Sequence, residues 1–251
     1  MKLMINDTPF PFELLPLGDS AVILRLVSGI SIETHRIVSS LTAAIEAQPF
    51  AGFMGCVPSF AAAAVHYDPL LVSRSRAGDE LKHGTIFETV CARLKACLSK
   101  ELTSAADQVT RIVEIPVCYG GKYGPDLSFV AEHNGLSEEE VIAIHAAGSY
   151  LVYMLGFAPG FPYLGGMSEE IAAPRHQTPR TSIPQGSVGI AGKQTGVYSV
   201  STPGGWQLIG RTPLALFRPQ EEIPSLLRPG DSVRFKPITT QEYMLYIEGE
   251  L

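Results

Sequence analysis

Glycine, proline and selected polar residues crowd together between Gly156 and Thr212. The runs are Gly156-Phe-Ala-Pro-Gly-Phe-Pro-Tyr-Leu-Gly-Gly166, Thr178-Pro-Arg-Thr181, Gly186-Ser-Val-Gly-Ile-Ala-Gly192, Gln194-Thr-Gly196 and Pro203-Gly-Gly-Trp-Gln-Leu-Ile-Gly-Arg-Thr212. Glycine loses more conformational entropy on ordering than any other residue, so this density marks backbone that needs positive φ or lets another group approach closely. That group is either a ligand or, more plainly, the next corner of a β-barrel. Arg175, Arg180, Lys193 and Arg211 are the cations of the block. Arg180, beside Thr178 in the Thr-Pro-Arg run, offers a planar fork for a carboxylate or phosphate, or else steadies a turn. Lys193, between Gly192 and Gln194, is presented by a loop to a ligand or simply to solvent. Gln194 and Thr195 orient a polar substrate without titrating, or form a turn. Trp206 lines a pocket with Phe157, Phe161 and Tyr163, or fills the barrel.

His145 is the side chain best suited by its ordinary pKa to move a proton near neutrality. It also lies beside Ile142, Ile144 and Ala146 on an apolar helical stretch, where a satisfied core histidine is the alternative. No GxxxxGK[ST], GxGxxG, HExxH or GxSxG signature is present. Gly120-Gly-Lys-Tyr-Gly124 has the glycines of a phosphate loop without its spacing or its following hydroxyl, so the chain does not read as a self-sufficient ATPase.

The elements that position these residues fall into two halves, 1–103 and 104–251. In the first, Ala21 to Val27 reads as a strand, and Ser31 caps a helix with Val38, Leu41 and Ile45 on one face. Gly52 to Val57 and Ala61 to Tyr67 read as short strands, and Thr85-Ile-Phe-Glu88 is a capping box opening a helix through Leu98. This βαββα order predicts a small α+β sandwich with helices over one sheet face. Lys100 to Gln108 is the linker candidate. Beyond it, Arg111 to Val117 alternates like a strand. Asp126 caps a helix ending near Asn134-Gly135, and Ser137-Glu-Glu-Glu140 opens another that runs to Gly148. Short punctuated strands then follow at 150–155, 187–191, 197–200, 207–209, 214–217 and 232–235, the rhythm of a barrel or sandwich.

Composition narrows the function class. Hydrophobic residues make up 45% and charged residues 18%, with a formal net charge of -6, so nothing draws the chain to nucleic acid. Cys56, Cys91, Cys97 and Cys118 show neither CxxC nor zinc-site spacing; no metal site is expected, and reduced thiols suit the cytoplasm. The stretch from Val141 to Met167 lacks Asp, Glu, Lys and Arg, but its glycines, prolines and His145 argue against a membrane span. The first sixteen residues lack the basic-then-apolar layout of a secretion signal.

The glycine-rich block resembles the hallmark run of the KipI family. That family comprises the B subunits of 5-oxoprolinase, also called allophanate hydrolase subunit 1 or carboxyltransferase subdomain C/D proteins. The likeness extends in weaker form to Ile115-Pro-Val-Cys-Tyr-Gly-Gly121, Gly124-Pro-Asp126, Leu227-Arg-Pro-Gly-Asp231 and Gly18-Asp-Ser-Ala21. The resemblance implies a ferredoxin-like α+β domain followed by a mainly-β cyclophilin-like barrel. It implies membership of a complex with A and C subunits that converts 5-oxo-L-proline, ATP and water to L-glutamate, ADP and phosphate. ATP, with magnesium, would then occupy a site shared with a partner subunit. For such chemistry His145 and Lys193 are the catalytic candidates, and Arg175, Thr178, Arg180, Gln194, Thr195 and Trp206 the substrate-binding ones. The resemblance also admits a KipI-type inhibitor of a sensor histidine kinase, or a subunit of a urea or allophanate carboxyltransferase-type enzyme. Peptide-prolyl isomerisation rests on fold analogy alone.

Overall fold

The computed structural model describes residues 2–5, 8–27, 29, 31–98 and 111–250, in two compact units, Met1–Val109 and Thr110–Leu251. The linker candidate and the expected boundary between 103 and 104 lie outside the described residues.

In the first unit, β1 (Lys2–Ile5), β2 (Thr8–Pro16), β3 (Ala21–Leu26), β4 (Phe53–Pro58) and β5 (Ala62–Tyr67) form one antiparallel sheet in the order β1-β2-β3-β5-β4. Helices α1 (Ile32–Ala47), α2 (Pro69–Arg74) and α3 (Ile86–Leu98) complete it. Local chemistry starts each helix. The Ser31 hydroxyl accepts from the Thr34 N–H, the Asp68 carboxylate from Leu70 and Leu71, and Thr85 and Glu88 cap each other's backbone. Val22 and Leu24 of β3, Ala63 and Val65 of β5, Val38 and Leu41 of α1, and Val90 and Leu94 of α3 are buried in one core. The expected βαββα succession is present as β3-α1-β4-β5-α3. The preceding hairpin β1–β2 is not in the sequence reading, because Pro9, Pro11 and Pro16 argue against a strand. Pro11 is nevertheless useful there as an acceptor, its carbonyl taking the Val27 N–H at 3.1 Å.

The second unit contains β6 (Ile112–Tyr119), α4 (Leu127–Asn134), α5 (Glu138–Ala147), β7 (Tyr150–Leu155) and β8 (Pro162–Gly165). These are followed by β9 (Arg180–Ile183), β10 (Ser187–Ala191), β11 (Gln194–Val197), β12 (Thr202–Gly204), β13 (Gln207–Arg211), β14 (Ser232–Pro237) and α6 (Thr240–Glu248). Seven strands close into a barrel in the order β10-β11-β8-β7-β14-β6-β13, while β9 and β12 pair apart as a two-stranded sheet. All the barrel pairs are antiparallel except β14 with β6. Ile115, Val152, Leu164, Val188, Ile190, Val197, Ile209 and Phe235 fill the core. Helix α5 carries the expected capping box between Ser137 and Glu140.

Two expected strands are corrected. The 197–200 run leaves the ladder at Val197, where β11 ends, and 214–217 carries only an isolated bridge from Phe217 to Ser225. Leu216 is fully buried, which gives that segment a strand-like apolar look, but Pro213 and Pro219 bracket it. Helix α6 and the β9–β12 pair are absent from the sequence reading. The charge-free stretch 141–167 runs through the end of α5, β7 and β8, and among the described residues no helix is long and apolar enough to cross a membrane.

Candidate functional site

The glycine-rich block builds an aromatic cavity of about 310 Å³ on the second unit. Its walls are Phe157, Phe161, Tyr163, Tyr198 and Trp206, its rim includes Arg175, Pro179 and Pro203, and Gly204 and Gly205 supply backbone. Phe161 is the hub. Its ring meets those of Phe157, Tyr163, Tyr198 and Trp206 at 5.5, 5.3, 5.6 and 5.8 Å, each edge-to-face. The glycines make this packing possible. A Cβ at Gly196 would stand 3.1 Å from both Phe161 and Trp206, and one at Gly204 only 2.4 Å from the Tyr198 hydroxyl. Arg175 is exposed, with its guanidinium carbon 6.0 Å from the centre of the Trp206 ring.

The loop leading into Phe161 is unusual. Phe157 has φ of 66°, and the Ala158 N–H donates to the Gly156 carbonyl at 2.7 Å, closing a three-residue turn of the strained, positive-φ kind. An L-residue pays about 1–2 kcal/mol for such backbone.

Arg180 lies at the start of β9, next to the pocket residue Pro179, but its fork is already engaged. Nη2 donates to Asp126 Oδ1 at 2.7 Å and Nη1 meets His176 Nε2 at 2.8 Å. The other Asp126 oxygen accepts the Leu208 N–H at 2.7 Å and lies 3.2 Å from His176 Nε2. That ring nitrogen can accept from Arg180 or donate to Asp126, but not both at once. Burial, the largest single influence on the Asp126 carboxyl, pushes its pKa up. The bonds from Arg180, Leu208 and His176 together outweigh it, and the net direction is down. Asp126 precedes α4 as expected, yet its side chain makes no cap bond.

His145 sits in the barrel core, fully buried, with its ring stacked on Phe235 at 4.5 Å. Thr195 Oγ1 donates to the Gly189 carbonyl at 3.1 Å, so it accepts from His145 Nε2 at 2.9 Å. Nδ1 therefore accepts from the Tyr119 hydroxyl at 2.8 Å. Burial lowers the His145 pKa to about 3. With both nitrogens occupied and no solvent contact, this is the geometry of a core histidine and not of a proton carrier. Thr195, fully buried, belongs to the same core network.

Of the expected residues, Arg175 and Trp206 share the cavity with Phe157, Phe161 and Tyr163. Lys193 is not among its lining residues; it is exposed and pairs with Glu169 at 2.7 Å. Gln194 opens β11 half-buried opposite Ala191, and Thr178 is exposed without lining the cavity. Arg211 donates to the Gln185 carbonyl at 2.8 Å. Tyr198, Asp126 and His176 are not among the site residues expected from the sequence. No local signal ties Asp126 to Leu208, which lies far along the chain; the contact exists only once the barrel is closed.

The Gly120–Gly124 loop does not form a phosphate cradle. In the Gly120–Gly124 loop the N–H groups of Tyr123 and Gly124 both donate to the Gly120 carbonyl, and Lys122 lies 5.0 Å over the Tyr123 ring. Among the described residues, no three His, Cys, Asp or Glu side chains gather as metal ligands.

A closed barrel with a glycine-shaped aromatic cavity, preceded by a small α+β unit, coincides with one known architecture. The model of the carboxyltransferase domain, subdomain C and D, matches residues 12–227, and the chain belongs to that family. It is 54% identical over 239 residues to the 5-oxoprolinase B subunit of Bacillus subtilis, covering 94% of this chain and 97% of that one. The crystal structure of TTHA0988 superposes with a TM-score of 0.71 at 37% identity, over 87% of this chain and 40% of that one. The Kluyveromyces lactis urea amidolyase shares the fold, with a TM-score of 0.73 at 19% identity, over 95% of this chain and 15% of that one.

Proposed function

We propose that this chain is the B subunit of an ATP-dependent 5-oxoprolinase, and that the aromatic cavity receives 5-oxo-L-proline. The observation that carries the assignment is 54% identity along 97% of a 5-oxoprolinase B subunit. The cavity supports it chemically. The substrate is a small flat lactam bearing one carboxylate, and the cavity offers ring faces for the lactam and Arg175 for the charge. A lactam resists water because its amide is resonance-stabilised, and ATP provides the driving force for opening it. What this chain contributes is binding, orientation and exclusion of water. The ATP site, with its magnesium, is proposed to lie at a boundary shared with a partner, the A and C subunits being the expected ones.

The first unit is read as a ferredoxin-like sheet in which β2 takes the place of the last strand, and the barrel as cyclophilin-like. Four free thiols suit a reducing cytoplasm.

The assignment is tested by purifying the chain with and without A and C subunits and measuring 5-oxoproline-dependent ATP hydrolysis. Turnover is expected only in the complete mixture. Full activity of A and C without this chain, or inhibition of a sensor histidine kinase by this chain alone, overturns the assignment.

A further inference from the structure

The cavity's outermost aromatic combines strained backbone with wide exposure. Phe157 is the one non-glycine residue of positive φ among the described residues, and it leaves 66% of its surface in solvent. Elsewhere the chain uses glycine at such backbone, as at Gly52, Gly160 and Gly186. Glycine would satisfy this turn equally well. The turn is also held rigidly. Gly156 and Phe161 donate to the carbonyls of Phe161 and Ala158, both at 3.1 Å, and buried Ser199 donates its hydroxyl to the Pro159 carbonyl at 2.6 Å. Such anchoring over-determines a strained conformation instead of relaxing it. A phenyl ring at this position is therefore offered to whatever enters the cavity from outside.

We propose that Phe157 is a specificity-determining wall of the cavity, its ring covering the face of a small cyclic carboxylate whose charge meets Arg175. The inference rests on the reading that the cavity receives the lactam. Ring and cation are matched in position, since both line the same opening. They are also matched in availability: Arg180 is engaged by Asp126 and Lys193 by Glu169, whereas Arg175 forms no ion pair among the described residues. A flat ring lying in the cavity against the exposed face of Phe157, with a carboxylate towards Arg175, uses every one of these features. An open-chain acid leaves the ring of Phe157 uncovered.

The test uses the reconstituted complex and three groups of variants. Phe157→Gly keeps the turn while removing the ring; KM for 5-oxoproline is expected to rise about tenfold or more with kcat within about twofold. The melting temperature of the isolated chain should hold or increase, because glycine relieves the turn. Phe157→Tyr restores the ring and should return KM to within about threefold of the parent. An unchanged KM for Phe157→Gly overturns the proposal. So does a KM change accompanied by a fall in melting temperature, which marks a structural residue, or by failure to assemble with the partner subunits, which marks a docking residue. Arg175→Ala and Trp206→Ala separate the two levels. If they raise KM while Phe157→Gly does not, only the role of Phe157 fails; if all three leave KM unchanged, the cavity itself is misassigned.

Discussion

A histidine sealed in a barrel stabilises the fold only while it stays neutral. His145 gives up one N–H to Thr195 and receives one hydroxyl from Tyr119, so its neutral form is fully satisfied and a second ring proton has no acceptor. The folded pKa of about 3 lies below the value near 6.5 expected of the unfolded chain. Below about pH 6.5 the unfolded state therefore binds a proton that the folded state refuses. Stability is fully present above that pH and falls by about 1.4 kcal/mol per pH unit as the pH drops towards the folded value. Replacing His145 with Gln keeps a donor and an acceptor but removes the titration. Denaturant unfolding between pH 7 and pH 4 should show a slope shallower by about one proton in the variant, and equal slopes would refute the burial argument. The sequence left His145 between two roles because an apolar neighbourhood is visible in a sequence, whereas the absence of a route to solvent is not. Trp206 was legible as a pocket wall for the opposite reason: its aromatic companions Phe157, Phe161 and Tyr163 stand in one short motif.

At the scale of elements, the pocket's backbone is tied down by a residue outside the glycine-rich block. Asp126 precedes α4, accepts from Leu208 on β13 and holds Arg180 at the start of β9. Because β9 pairs with β12, whose Gly204 lies opposite Arg180, this carboxylate sets the position of one side of the cavity. Asp126→Ala leaves the Leu208 N–H without its side-chain acceptor and the guanidinium without its counter-charge. A loss of about 2–3 kcal/mol is expected, short of the full penalty for a buried pair because Arg180 keeps about a third of its side chain in solvent. A double-mutant cycle with Arg180→Ala should return a coupling of about 1 kcal/mol or more, measured by urea unfolding; additive effects would show that the contact carries no energy. Sequence reading recovered the elements that announce themselves locally, such as the capping box of α5 and the strands at β7 and β10. It missed β8, β9 and β12, which are only three or four residues long, and also α6, although Thr239 and Glu242 form a capping box there; for Asp126 it saw the cap position and not the clamp, because a cap is a local contact and a clamp is not.

At the scale of the molecule, each unit buries a core of its own. Ile115, Val152, Ile190 and Phe235 belong to one cluster, Leu24, Leu41, Val65 and Leu94 to another. Barrel closure removes the exposed strand edges that make isolated sheets aggregate, so the seven barrel strands need no neighbouring chain to pair with; only the short β9–β12 pair keeps open edges. All ten cavity residues, from Phe157 to Trp206, also lie within it. A fragment spanning 111–251 is therefore expected to unfold in one cooperative transition. It should bind 5-oxoproline within about threefold of the full chain, by calorimetry or by the fluorescence of Trp206, while supporting no turnover alone. Binding by the full chain with none by a folded fragment would place essential contacts outside the barrel. If the proposed cavity is the binding site, recognition and turnover should be separable, because every lining residue belongs to the second unit. Mixing the fragment with the remaining subunits then reports what the first unit adds. Restored turnover confines its role to something other than the reaction, and binding without turnover assigns the first unit to the assembly that brings ATP to the lactam.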